Sequence, residues 1–292
     1  MEGFSGMFGH YKYKNLTKNF CENSYLKHNP DVEIAVKTGK VGSGLEHYLR
    51  FGSRENRHCE CVCASNESNN LYEFGGLYHD FKVFGFKNEV LPGIYELNQK
   101  SKEPVISAYI QYAIAKTKVN TKSQVSFAEL FAADCYYAML ACHFGATKSI
   151  GIDNNISEFS AHATPIAKAL GIENFEFILA DVNNIDQLEK VDIVANLGGL
   201  YHVSNPREII EKSFHMASKF LIIQTVVSMT NDDEDYFESP APGWTWGSRF
   251  SKSSFDKLIK ELNYDIVDQH FNELEGNDRL EDKGSVYYLI RK

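Results

Sequence analysis

The sequence predicts an α/β fold: a doubly wound, mostly parallel sheet with an antiparallel C-terminal edge, preceded by a small helical module. Three observations point there. From Ser123 onward, apolar runs of about four to eight residues alternate with helical patterns, the signature of β-α-β crossovers. Two of those helical patterns stop on a glycine, Gly145 and Gly171. Acidic residues close successive apolar runs, at Asp153 and Asp181, and a parallel sheet gathers its strand ends on one rim.

In chain order, residues 1–58 read as the helical module. Pro30 and Asp31 suit a helix start, Gly39 suits a stop, and Ile34, Val36, Leu45, Tyr48 and Leu49 recur at helical spacing. Residues 59–122 read as a linker and helical cap segment. Its Ala64–Asn70 stretch is polar and rich in turn formers, and a helix is expected over Pro104–Lys116. Residues 123–292 read as the main domain. Strands are expected at Val125–Phe131, Ser149–Asp153, Phe175–Ala180, Val191–Leu197 and Phe220–Val227. Helices are expected at Cys135–Phe144, Ser157–Leu170 and Pro206–Ala217. An aromatic loop over 231–251 follows, then a helix at Lys252–Leu262 and strands at Tyr264–Phe271 and Ser285–Ile290.

Composition narrows the function. The chain has 292 residues, 43% hydrophobic and 24% charged, which excludes a disordered or low-complexity protein. Its apolar runs fall short of the ~20 residues of a membrane span. Met1–Tyr13 lacks the apolar core of a signal peptide, so a soluble, cytoplasmic protein is expected. The net charge of −9 argues against a large phosphate-binding surface and hence against nucleic acid as partner. Residues 1–58 alone are basic, with nine Lys and Arg against six Asp and Glu. An oligomer is left open. The run His58–Cys63 spaces its cysteines C-x-C-x-C with no second ligand pair, so no metal site is expected. The acidic run Asp232–Asp235 reads as a solvated turn, because consecutive acids cannot all face one ion.

In open α/β sheets, ligands bind beyond the carboxyl ends of the strands. Glu129 and Asp134 flank the first of these ends, where a cationic amino-acid tail needs counter-charge. Asp153 ends the second strand, where an acid can accept from both hydroxyls of a ribose. Asp181 ends the third, where it can accept from an adenine amino group. Such an acidic rim repels a pyrophosphate and suits a cationic nucleoside, which favours S-adenosylmethionine over NAD. The alternative for each acid taken singly is a helix cap or a turn.

Residues 126–227 resemble the class I S-adenosylmethionine-dependent methyltransferases. Ala128–Tyr137 is similar to that family's first motif, Gly145–Asp153 to its second, and Asp192–Pro206 to its fourth, with Leu-Tyr-His and Asn-Pro as the most specific part. The fourth-motif stretch is close to the branch that holds the tRNA wobble-uridine carboxymethyltransferase. The resemblance implies a Rossmann-like domain whose cofactor residues are Glu129, Phe131, Ala133, Asp134, Tyr137, Asp153, Asp181, Val182, Asn196 and Gly198. The family's first motif usually reads acid-x-Gly-x-Gly-x-Gly, whereas here Phe131, Ala133 and Cys135 hold the glycine positions. Phenylalanine at the first position must point away from the ligand or change the turn. Tyr25–Arg57 also resembles a short module appended to bacterial glycan-processing and secreted proteins, a hint of a carbohydrate setting.

Methyl transfer is an in-line displacement, so such an enzyme positions an acceptor and, for a hydroxyl, removes its proton. By the resemblance His202 and Tyr201 are the catalytic residues. An imidazole near its ordinary pKa of ~6.5 suits a base at neutral pH. His202 as a structural hydrogen-bonding residue is the alternative, and Tyr201 either shapes the acceptor pocket or contacts the methionine tail. Trp244, Trp246 and Arg249 are the substrate-binding candidates: stacking surfaces and an anion partner in a Pro/Gly-rich loop, or else the packing of a lid. Three functions follow: O-methylation of a small molecule or glycan, tRNA modification, or non-catalytic cofactor binding.

Overall fold

Seven strands form one sheet in the computed structural model, which describes residues 20, 22–52, 55, 57, 69–121, 124–241 and 247–292. They are β1 (Ser126–Leu130), β2 (Lys148–Asp153), β3 (Phe175–Leu179), β4 (Val191–Leu197), β5 (Ala217–Val227), β6 (Asp265–Glu273) and β7 (Gly284–Arg291). Their order across the sheet is β3-β2-β1-β4-β5-β7-β6. All run parallel except β7, which lies antiparallel between β5 and β6. The antiparallel hairpin is therefore at the expected end, but its second strand is the inner one. Composition explains the choice. β7 is buried along its length save Arg291, whereas β6 carries Asp265, Asp268 and Glu273 and is half exposed, as suits an edge.

The helices are α1 (Glu22–His28), α2 (Pro30–Lys37), α3 (Gly44–His47), α4 (Tyr95–Thr121), α5 (Tyr136–His143), α6 (Ala163–Ala169), α7 (Pro206–Met216) and α8 (Lys252–Glu261). One face of the sheet packs on α4, α5 and α6 through residues such as Ile106, Tyr109, Tyr136, Met139 and Ile166. The other packs on α7 and α8 through Ile209, Ile210, Phe255 and Ile259. This two-sided cover is why β1, β4 and β5 read as nearly continuous apolar runs.

Two elements depart from the sequence reading. Helix α4 starts at Tyr95 and carries Pro104 in its interior rather than at its first turn. The stretch expected to be one helix over Ser157–Leu170 is instead a 3-10 turn at Phe159–His162 followed by α6, entered through Glu158 at φ +58°.

Residues 71–121 are bound into the main core: Leu71, Leu77, Phe81 and Phe84 are buried with α4 and α5. The N-terminal helices keep a small core of their own, Phe20, Tyr25, Val32 and Leu45. The buried Glu22 carboxylate accepts from the Gly44 and Leu45 amides at 2.7 and 3.0 Å, capping α3. Burial raises the Glu22 carboxyl, and the nearby Lys118 ammonium of α4 pulls it back.

Among the described residues, no helix is long and apolar enough to cross a membrane. None of their His, Cys, Asp and Glu side chains form a group of three or more placed to hold a metal. His58, Cys59, Cys61 and Cys63 lie outside the described residues. The acidic run is tied to α8: Asp232 accepts from Ser253 and Asp235 pairs with Lys257.

Candidate active site

From β1 the chain winds outward to β2 and β3, then returns to the other side of β1 as β4. The crossovers leaving β1 and β4 diverge, and a crevice opens where they part. A cavity of about 640 Å³ sits at this point, a size that suits one cofactor-sized ligand.

The turn after β1 is its floor. Phe131, Ala133 and Cys135 have φ of +56°, +46° and +64°, so alternate residues are left-handed. Each costs about 1 kcal/mol or more in an L-residue, and the surroundings must hold the turn in place. They do so with named bonds. The Ala132 amide donates to the Ile152 carbonyl at 3.1 Å, the Ala133 amide to Asp153 Oδ2 at 3.1 Å, and the Ala138 amide to Glu129 Oε2 at 2.7 Å. Room comes from glycines elsewhere. A Cβ on Gly199 would collide with the Phe131 ring, and one on Gly151 would collide with Cys135 Sγ. Phe131 holds a left-handed backbone, packs its ring against Gly199 and lines the cavity.

The acids converge as the strand ends dictate. Glu129, Asp153 and Asp181 all line the cavity, with Phe131, Ala133, Tyr137, Val182, Gly198 and His202. Burial pushes the Glu129 carboxyl well above the usual range, and the charges of Asp134 and Asp153 push the same way. Asp153 also accepts from the Asn155 amide at 2.6 Å, and Asp181 from the Asn183 amide at 2.8 Å. His202 faces the cavity, and the protein mass around the imidazole pushes it down to about 4. It is neutral at pH 7, not poised near 6.5.

Four expected residues are not brought to the cavity. Asp134 is buried beneath the turn and accepts from the His79 amide at 2.8 Å, with His79 Nδ1 at 2.6 Å. Asn196 alternates with Leu197 on β4, so its side chain lies on the opposite face, where Nδ2 donates to Ser213 Oγ of α7 at 3.0 Å. Tyr201 and Arg249 line a separate, much smaller cavity. Arg249 is only 6% exposed and is paired with Asp282 at 3.0 Å and Glu238 at 3.5 Å, which leaves it no freedom to hold a substrate anion. Burial raises the Tyr201 phenol, with Tyr78 and Asp282 adding to it. Trp244 and Trp246 lie outside the described residues.

Sequence reasoning also missed several lining residues: Tyr78, His79, Lys102, Phe159 and Gln224. One left a signal. Lys102 shares a helical face with Ile106, Tyr109 and Ala113, all buried, so a cation interrupts an apolar stripe. The others come from irregular segments and strand ends whose placement no periodicity announces.

No protein-family model matches the chain, and no curated protein matches it in sequence. Solved structures do match in shape. The magnesium protoporphyrin IX methyltransferase ChlM from Synechocystis PCC 6803, with bound SAH, aligns at a TM-score of 0.50 and 14% identity, over 67% of this chain and 85% of its own. The N-terminal domain of EvdMO1 with SAH bound aligns at a TM-score of 0.50 and 14% identity, over 71% and 87%. The same domain in the presence of SAH and D-fucose aligns at 0.50 and 15%. The fold of this chain is thus the Rossmann-like fold of these methyltransferase structures, a mostly parallel seven-stranded sheet covered on both faces.

Proposed function

We propose that this protein is an S-adenosylmethionine-dependent methyltransferase acting on a hydroxyl of a small molecule or glycan. The observation that carries the reading is the turn after β1. Three non-glycine residues hold left-handed backbone there and Ala133 is tied to Asp153, which supports a turn that lets backbone approach a ligand closely. Backbone strain of this kind clusters at ligand sites.

The cavity residues fit the group. Asp153 stands where a ribose diol needs an acceptor, and Asp181 where an adenine amino group does. Glu129 is a buried acid raised chiefly by burial, and a cationic ligand beside it would favour its ionised form. When bound, S-adenosylmethionine provides an electrophilic methyl group. The chain's own part is to bind, orient and keep water out, and to accept a proton. His202, neutral at pH 7, takes the hydroxyl proton on a ring nitrogen. Tyr201 lines the smaller cavity, and its ring lies 4.3 Å from that of His202. The fold match supports the cofactor, and the likeness of Tyr25–Arg57 to glycan-associated modules supports the acceptor class. An acidic cavity on a chain of charge −9 weighs against tRNA as acceptor.

Calorimetry tests the reading. Wild type should bind S-adenosylhomocysteine, and Asp153→Ala should weaken that by about 2–3 kcal/mol, roughly a hundredfold, through loss of charge-assisted hydrogen bonds. Label from the methyl group of the cofactor should also pass to an acceptor in fractionated cell extract. Absence of any nucleoside binding by the wild type would overturn the proposal.

A further inference from the structure

Lys102 is the sole lysine or arginine among the described residues that line the cavity, and it is 8% exposed. Helix α4 brings it there on the stripe of Ile106 and Tyr109. Among the described residues, no side chain hydrogen-bonds to its ammonium and no carboxylate pairs with it; burial alone accounts for its depressed pKa. The contrast with Arg249 is informative. That cation, equally sunken, is met by two acids. Elsewhere, then, this fold supplies partners for a buried charge, as the cost of burying one demands. The burial that isolates Lys102 also draws its pKa down to about 8. The cavity therefore holds two unlike parts, a set of carboxylates at the strand ends and one ammonium reaching in from α4.

We propose that Lys102 is the counter-ion for a carboxylate carried into the cavity by its ligand. The inference rests on the nucleoside reading for one of its two sources. The carboxylate belongs either to the amino-acid tail of the nucleoside cofactor or to the methyl acceptor. Both would place a planar anion against the ammonium and relieve the same unpaired charge.

The test uses the full chain, with Lys102→Met to remove the charge at similar volume and Lys102→Arg to retain it. Two titrants are compared: S-adenosylhomocysteine, and its decarboxylated analogue S-adenosyl-3-thiopropylamine. If the carboxylate is the tail's, Lys102→Met weakens S-adenosylhomocysteine at least tenfold, leaves the analogue unchanged, and Lys102→Arg restores most of the loss. If it is the acceptor's, both nucleosides bind the variant as they bind wild type. Benzoate, but not benzamide, then raises the melting temperature of the S-adenosylhomocysteine-saturated wild type and not of Lys102→Met. Equal behaviour of wild type and Lys102→Met toward both nucleosides and toward benzoate overturns the proposal. A wild type that binds neither nucleoside defeats the cofactor reading alone, and benzoate against benzamide on the free protein then decides Lys102. The melting temperature of ligand-free Lys102→Met reports that the variant is folded; it should lie at or above that of wild type, since an unpaired charge has left the interior.

Discussion

The ring of Phe131 fills the space that a Cβ on Gly199 would need. The first residue of the β1 turn and the glycine after β4 have thus exchanged the roles that a glycine-rich turn assigns them. The side chain sits on the turn, and the clearance has moved to the facing segment. Gly199 itself has an ordinary φ of −124°, so alanine there is strained by the ring and not by the backbone. Gly199→Ala should destabilise the protein by about 1–3 kcal/mol, the usual cost of overpacking. In a Phe131→Gly background the same change should cost under about 0.5 kcal/mol, the ordinary effect of a substitution free of such a clash. Urea denaturation of the four proteins completes the cycle, and additive effects would show that the two residues do not meet.

Glu129 links the site to stability. Its carboxyl is raised in the folded protein, by burial first and by its acidic neighbours second. The unfolded chain releases this proton near the ordinary value of ~4.3. Between that value and the higher folded one, the folded state holds more protons than the unfolded state. Stability from this group is therefore lost as pH rises through that window, and stays low above it. Glu129→Gln keeps an acceptor for the Ala138 amide and removes the charge. It should match wild type at pH 4 and exceed it by more than about 1 kcal/mol at pH 8. The same variant should bind S-adenosylmethionine, with its cationic sulfonium, more weakly than wild type. Denaturation at the two pH values checks the first expectation, and calorimetry the second.

The sheet was legible because burial on both faces leaves strands as plain apolar runs, and β4 was read to the residue at Val191–Leu197. The acids were legible for a related reason: a parallel sheet gathers its strand ends, so Asp153 and Asp181 had to share a rim. What failed was side-chain direction. Asn196 and Leu197 are neighbours in sequence but point to opposite faces, and only the register of β4 decides which one meets the cavity. Arg249 failed because its partner Asp282 is far along the chain, and no local pattern announces a buried ion pair. A proline in the helix interior hides Lys102: Pro104 reads as a helix start, yet the helix begins at Tyr95 and carries Lys102 ahead of it.

Beside their small core, the N-terminal helices share one buried cap. Glu22 satisfies the amides of Gly44 and Leu45, and both donors are buried. Glu22→Ala leaves them without a partner, at about 1–3 kcal/mol. Hydrogen exchange should show the Gly44 and Leu45 amides losing protection, while amides of β1 and β4 lose little. Equal loss in both regions would mean that the helices and the sheet unfold as one unit.

His202 provides the sharpest test of chemistry. With its pKa near 4, the ring is neutral from about pH 5 upward, so the base is in its working form throughout the physiological range. The proposed role predicts a kcat/KM that shows no histidine limb between pH 5 and 8, unlike an enzyme whose base titrates near 6.5. His202→Asn should lower kcat by about a hundred- to ten-thousand-fold, the usual range for a lost general base, while the affinity for S-adenosylhomocysteine stays within about threefold of wild type. Tyr201→Phe should do far less, because Tyr201 lines the smaller cavity and is not among the residues that line the main one. Transfer of labelled methyl to a purified extract fraction gives both numbers. A His202→Asn protein with unchanged turnover would assign the ring to packing and leave proton removal to water.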